Sequence, residues 1–150
     1  MYSKQEVSLI NKRFWTNFGQ YMKPVNGAEG EKINWLNYKT GIRHIYFRMN
    51  ASNTQASIAI ELRHSDEMQR QHYYEQFKQL KKLLEQNTGE EWNWQSEQIS
   101  EDGGIISRIS TTLEGVNIFR ETDWPAIISF LKPRLIALDA FWVMVKDGLE

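Results

Sequence analysis

Two stretches decide the fold: Ile42-Arg43-His44-Ile45-Tyr46-Phe47-Arg48-Met49 and, after a short polar link, Ala56-Ser57-Ile58-Ala59-Ile60-Glu61-Leu62-Arg63. In the first, Ile45, Phe47 and Met49 alternate with His44, Tyr46 and Arg48. In the second, Ile58, Ile60 and Leu62 alternate with Ser57, Ala59, Glu61 and Arg63. Successive side chains of a strand point to opposite faces, so this alternation predicts two half-buried strands. The polar Asn50 to Thr54 between them predicts a turn, and hence an antiparallel pair. The apolar side of such a sheet needs a cover and the polar side does not. That predicts an α+β fold with helices packed mainly on one sheet face.

Working outward, Ile33 to Tyr38 is rich in β-formers and predicts another strand, joined to Ile42 to Met49 through Lys39-Thr40-Gly41. Upstream, Ser3-Lys4-Gln5-Glu6 is a capping box, and Val7, Ile10, Phe14, Phe18 and Met22 follow at helical spacing up to Lys23-Pro24. Downstream, Asp66 to Asn87 predicts a single helix with Ser65 as cap and Gly89 just past its end. Glu91 to Glu97 and Ile105 to Thr112 predict a hairpin around Glu101-Asp102-Gly103-Gly104. The last helix begins near Thr122-Asp123, with Pro125 in its first turn. Pro133 lies inside it and predicts a kink or a break, because the missing N–H and the ring together cost about 3 kcal/mol. The expected order is α-β-β-β-α-β-β-α, with a mainly antiparallel sheet in one domain over residues 1–150.

Composition removes several function classes. The chain has 150 residues, with a formal net charge of −1, six Trp and no Cys. Thiol nucleophiles, thiolate metal sites and disulfides are therefore excluded. There is no overall basic excess of the kind that marks many nucleic-acid and membrane binders. The start, Met1 to Glu6, is polar and shows no secretory leader, and no apolar run reaches spanning length. A cytoplasmic protein that does not act on membranes is the expectation.

Chemistry-bearing residues are few. Helix, three strands, helix, strand is the core order of restriction-endonuclease-like folds. Such folds carry an acid on the second strand and Glu-x-Lys on the third, to hold a metal ion. Here the third strand offers Glu61-Leu62-Arg63, Glu6 could add a carboxylate, and the second strand has no acid. Arg63 stays protonated and cannot act as a base. The alternative to a divergent nuclease built on Glu6, Glu61 and Arg63 is a cross-strand ion pair between Arg48 and Glu61. His44, His64 and His72 show no metal-ligand spacing and read as surface or hydrogen-bonded histidines. No metal or other cofactor is expected. Two polar surfaces stand out as candidate binding sites. One is the sheet face carrying His44, Tyr46, Arg48, Glu61 and Arg63. The other is the helix face carrying Lys78, Lys81 and Lys82, with Arg70 upstream. The last helix is apolar on nearly all sides, which fits a central helix or self-association; a homodimer through Phe130, Phe141 and Met144 is the expectation.

Several dispersed segments carry a family resemblance: Met1 to Lys4 leading into Phe14-Trp15 and Phe18-Gly19, Ser57 to Glu61, Ile106-Ser107-Arg108-Ile109, Gly115-Val116-Asn117-Ile118 and the closing aromatic helix. Together they resemble the bacterial domain-of-unknown-function family numbered 4268, over essentially the whole chain. Members occur alone or after nuclease-like domains, which implies an accessory role in nucleic-acid transactions and supplies no catalytic residues. The chain thus reads as a non-enzymatic interaction module for protein or nucleic acid, with the divergent metal-dependent nuclease as the alternative.

Overall fold

A computed structural model describes residues 2–149. Helix α1 (Lys4–Met22) opens on the expected capping box: the Glu6 amide donates to Ser3 Oγ at 3.1 Å, and the Ser3 amide donates to the Glu6 carboxylate at 3.2 Å. Strands β1 (Ile45–Ala51) and β2 (Gln55–Leu62) form the expected hairpin, with Phe47 opposite Ile60 and Tyr46 opposite Glu61. Helices α2 (Glu67–Gln79) and α3 (Lys81–Thr88) then lead to β3 (Asn93–Ile99) and β4 (Ile105–Glu114). The chain closes on α4 (Trp124–Val145). The sheet order is β1-β2-β4-β3, and all neighbours are antiparallel.

This order follows from side-chain type. Strand β3 carries Asn93, Gln95, Ser96, Glu97 and Gln98, a composition suited to an edge. Strand β4 carries Ile106 and Ile109 and sits inside the sheet, with Ile109 opposite Ile60. One sheet face, with Ile45, Phe47, Ile58, Ile60, Leu62 and Ile109, packs into the core with α1, α2 and α4, and α3 lies along α4. Trp142 of α4 anchors that core: its ring stacks on Phe77 at 6.1 Å and meets Phe47 edge-on at 5.7 Å. Its indole N–H donates to the Thr40 carbonyl at 2.7 Å.

Several expectations give way. Ile33 to Tyr38 is not a strand, so the sheet has four strands and the order becomes α-β-β-α-α-β-β-α. Its aromatic residues are anchors instead. Trp35 is buried and donates its indole N–H to the Val25 carbonyl at 2.9 Å, while Asn34 Oδ1 caps a short 3-10 turn, Trp35–Asn37. The Tyr38 hydroxyl donates to the Asp139 carboxylate of α4. Nor is Asp66 to Asn87 one helix. It breaks at Leu80, where φ −97 and ψ 8 leave the helical region. Asp66, not Ser65, caps α2. Gly89 does end α3 in the left-handed conformation, at φ 75.

Helix α4 runs through Pro133 without a break. Buried residues flank the proline on both sides, from Ile128, Phe130 and Leu131 to Leu135 and Leu138, and hold the helix together. The next residue, Arg134, donates to the Phe130 carbonyl at 2.9 Å and clamps Glu90 with two bonds of 2.7 and 3.0 Å. The apolar surplus of α4 also has a place inside the fold. Phe130 and Phe141 are buried within the chain itself, whereas Met144 is 56 % exposed.

Candidate functional site

Directly opposite residues of an antiparallel pair share a face. The register therefore lines up Tyr46, Glu61, Arg108 and Gln95 across all four strands on the face turned away from the core. The next row holds Arg48, Ala59, Ser110 and Asn93. A cavity of about 600 Å³ opens over Arg48, Glu61 and Arg108 of these rows, and among the described residues its lining comes from the strands and the short segments that adjoin them.

Glu61 sits at its floor and is only 6 % exposed. Three guanidinium groups enclose it. Arg63 Nη2 lies 2.8 Å and Arg63 Nε 2.9 Å from Oε1, Arg108 Nε lies 3.4 Å from Oε2, and Arg48 Nε lies 3.9 Å from Oε1. Arg63 also reaches Glu101 at 3.1 Å, and Arg108 reaches Ser57 Oγ at 3.4 Å. The expected Arg48–Glu61 pair exists, but as a diagonal contact, because Arg48 stands opposite Ala59. Burial works against the charge on Arg63, yet hydrogen bonding and attraction to Glu61, then Glu101, outweigh it and raise its pKa above the ordinary guanidinium value. The Glu101 carboxyl is held below the ordinary value by its own backbone N–H and then by Arg63.

One carboxylate cannot satisfy three arginines, each with five N–H donors. Arg48 in particular has no hydrogen-bonded acceptor among the described residues; it rests its guanidinium over the Tyr46 ring at 4.7 Å. The trough thus combines a fixed, partly buried positive charge with donors left over. That arrangement suits an incoming anion with several acceptor oxygens.

Glu6 does not join Glu61. It is exposed, engaged in the α1 cap, and absent from the lining of this cavity. Among the described residues no group of three or more His, Asp or Glu could hold a metal ion. The Glu61 oxygens already accept from guanidinium groups. Lys78, Lys81 and Lys82 are exposed on α2 and α3, in the helical layer, so the structure does not bring the two candidate surfaces together. Arg70 leaves the expected basic face altogether. It is buried, donates to Ser107 Oγ at 3.2 Å, and helps close the bulge between Gln95 and Gln98, where Ser107 donates to the free Ser96 carbonyl at 2.7 Å.

His44 also departs from the expected strand face. It precedes β1 with a left-handed backbone, φ 72, and its ring lies 5.2 Å from that of His64. His64 is neither on the surface nor hydrogen-bonded. It is buried, stacks on Tyr73 at 4.8 Å, and neither ring nitrogen has a partner among the described residues. Burial, then the neighbouring His44 and Arg70, lowers its pKa below the ordinary histidine value. The unfolded chain therefore takes up this proton at a higher pH than the folded one. The stability tied to neutral His64 is complete above the unfolded value of about 6.5 and is lost as pH falls toward the folded value. Thermal melts across this range are expected to show Tm falling below about pH 6.5, and His64→Phe is expected to flatten that fall.

Arg108 is the site residue that sequence reasoning missed. A lone Arg among Ile106, Ser107, Ile109 and Ser110 in a predicted strand was the available signal. A family model described as Domain of unknown function (DUF4268) matches residues 10–146. No curated protein and no solved structure matches the chain significantly.

Proposed function

We propose, from the premise that the chain belongs to the DUF4268 family, that it is a non-catalytic binding module whose polar sheet face holds the phosphate backbone of a nucleic acid. The observation that carries this reading is the enclosure of Glu61 by Arg48, Arg63 and Arg108 beneath an open cavity. The carboxylate holds Arg63 and Arg108 by hydrogen bonds, Arg48 stays more loosely placed, and all three line the cavity with donors to spare. Phosphate oxygens match such donors in both charge and geometry. An overall charge of −1 is compatible with this, because the positive charge is local. Membership of this family leaves the activity open, and the arginines on Glu61 favour binding over metal-dependent cleavage.

Fluorescence anisotropy with a labelled oligonucleotide tests the proposal. Binding is expected to weaken steeply with salt, with a slope of log K against log salt of about −2 for three single-strand phosphate contacts. Arg48→Gln is expected to shallow that slope by roughly 0.7 while leaving the fold intact, because Arg48 is half exposed and only loosely tied to Glu61. Absence of salt-sensitive binding defeats the proposal. Equal competition by polyglutamate points instead to an acidic protein partner and also defeats it.

A further inference from the structure

A second, smaller cavity of about 290 Å³ adjoins the trough at the β1 edge. Trp15 of α1, Leu36, Tyr38, Tyr46 and Arg48 are among its walls. It differs in character from the trough, since aromatic and aliphatic side chains dominate it. Arg48 and Met49 line both cavities and form the shared wall, with Arg48 its polar member. Tyr46 is 37 % exposed, and Leu36 beside it is exposed as well. The Asn37 side chain, at the same rim, has no hydrogen-bond partner among the described residues.

We infer that the nucleic acid held by the trough is single-stranded, and that one of its bases lodges in the Tyr46 cavity while the adjoining phosphate is held by the arginines. The inference rests on the phosphate-binding reading of the trough and adds to it the kind of strand bound. A phosphate site and a flat apolar slot sharing one arginine match the two halves of a nucleotide. Tyr46 and the Arg48 guanidinium, which lies 4.7 Å from the Tyr46 ring centroid, together offer π and cationic surface on which any base can stack. The free Asn37 amide can pair with a base edge. In a duplex the base faces are covered by stacking, so this slot serves only a strand whose bases are free. The cavity lies at the small end of ligand pockets, which fits one planar ring.

The test compares three labelled probes on the full chain: an oligothymidylate, the same length as a duplex, and an abasic oligomer with the same phosphates. The oligothymidylate is expected to bind about tenfold more tightly than the other two. Tyr46→Ala is expected to remove that advantage without changing the salt slope, and Tyr46→Phe to keep it. Leu36→Ala, at an exposed position in the same slot, provides an independent variant if Tyr46→Ala disturbs the fold. If the abasic oligomer or the duplex binds as well as oligothymidylate, the inference falls and the phosphate reading stands. If no probe binds, both fall.

Discussion

Glu61→Ala is expected to lower the free energy of unfolding by about 3 kcal/mol, the lower end of what breaking a buried ion pair from one side costs. Removal of the carboxylate leaves Arg63 and Arg108, both largely covered, without their common partner. Arg63 keeps Glu101, and Arg48 is already half in solvent, which places the loss at the lower end. If the trough binds phosphate as proposed, the same substitution is expected to tighten polyanion binding, since it removes one negative charge from beneath the arginines. Chemical denaturation reads the first effect and anisotropy the second. Glu61→Gln keeps the shape and part of the hydrogen bonding, so it is expected to fall between wild type and Ala in stability while still binding more tightly. If polyanion binding weakens in a folded Glu61→Gln protein, the carboxylate is not acting as a counter-ion in the trough.

Asp139→Ala is expected to cost a similar amount, about 3 kcal/mol, from the loss of two hydrogen bonds to a buried charge. Asp139 is 2 % exposed within α4; it accepts the Ala28 amide at 2.7 Å and the Tyr38 hydroxyl. Both donors belong to the long connection between α1 and β1, so this one carboxylate ties that connection to the closing helix. Burial, then the hydrogen bond and charge of Asp139, raises the Tyr38 pKa and keeps its hydroxyl a donor throughout the physiological range. Hydrogen exchange is expected to show the Ala28 amide losing protection in Asp139→Ala while β2 and β4 keep theirs. Tyr38→Phe removes one of the two bonds and is expected to cost about 1 kcal/mol. If the two variants add fully in the double mutant, the carboxylate and hydroxyl do not act as a pair.

The β1–β2 hairpin was legible because its alternation is local and its turn is polar. Ile33 to Tyr38 was not, because its aromatic residues serve partners distant in sequence: Trp35 reaches Val25, and Tyr38 reaches Asp139. The break at Leu80 has neither Gly nor Pro to announce it. The apolar surplus of α4 fits a central helix as well as a docking face, and β2 on one side with α3 and α1 on others cover much of it. Half of the trough was visible in the sequence. Arg48 and Glu61 lie on neighbouring strands joined by a tight turn, and Arg63 lies just past the second of them. Arg108 comes beside Glu61 only because β4 inserts between β2 and β3, a choice that no local pattern records.

That insertion also sets an order of events during folding. The β1–β2 and β3–β4 hairpins can each close early from nearby residues, whereas the β2–β4 ladder joins Ser57 to Thr112 across the helices. Pairing over such a distance bears the loop-closure entropy before its contacts form, so docking of the two hairpins is expected to be the slow step. Glu61 arrives on one hairpin and Arg108 on the other. On the ribosome, the arginine trough therefore comes into being only after β4 has emerged, and a chain cut short before it would carry no assembled site.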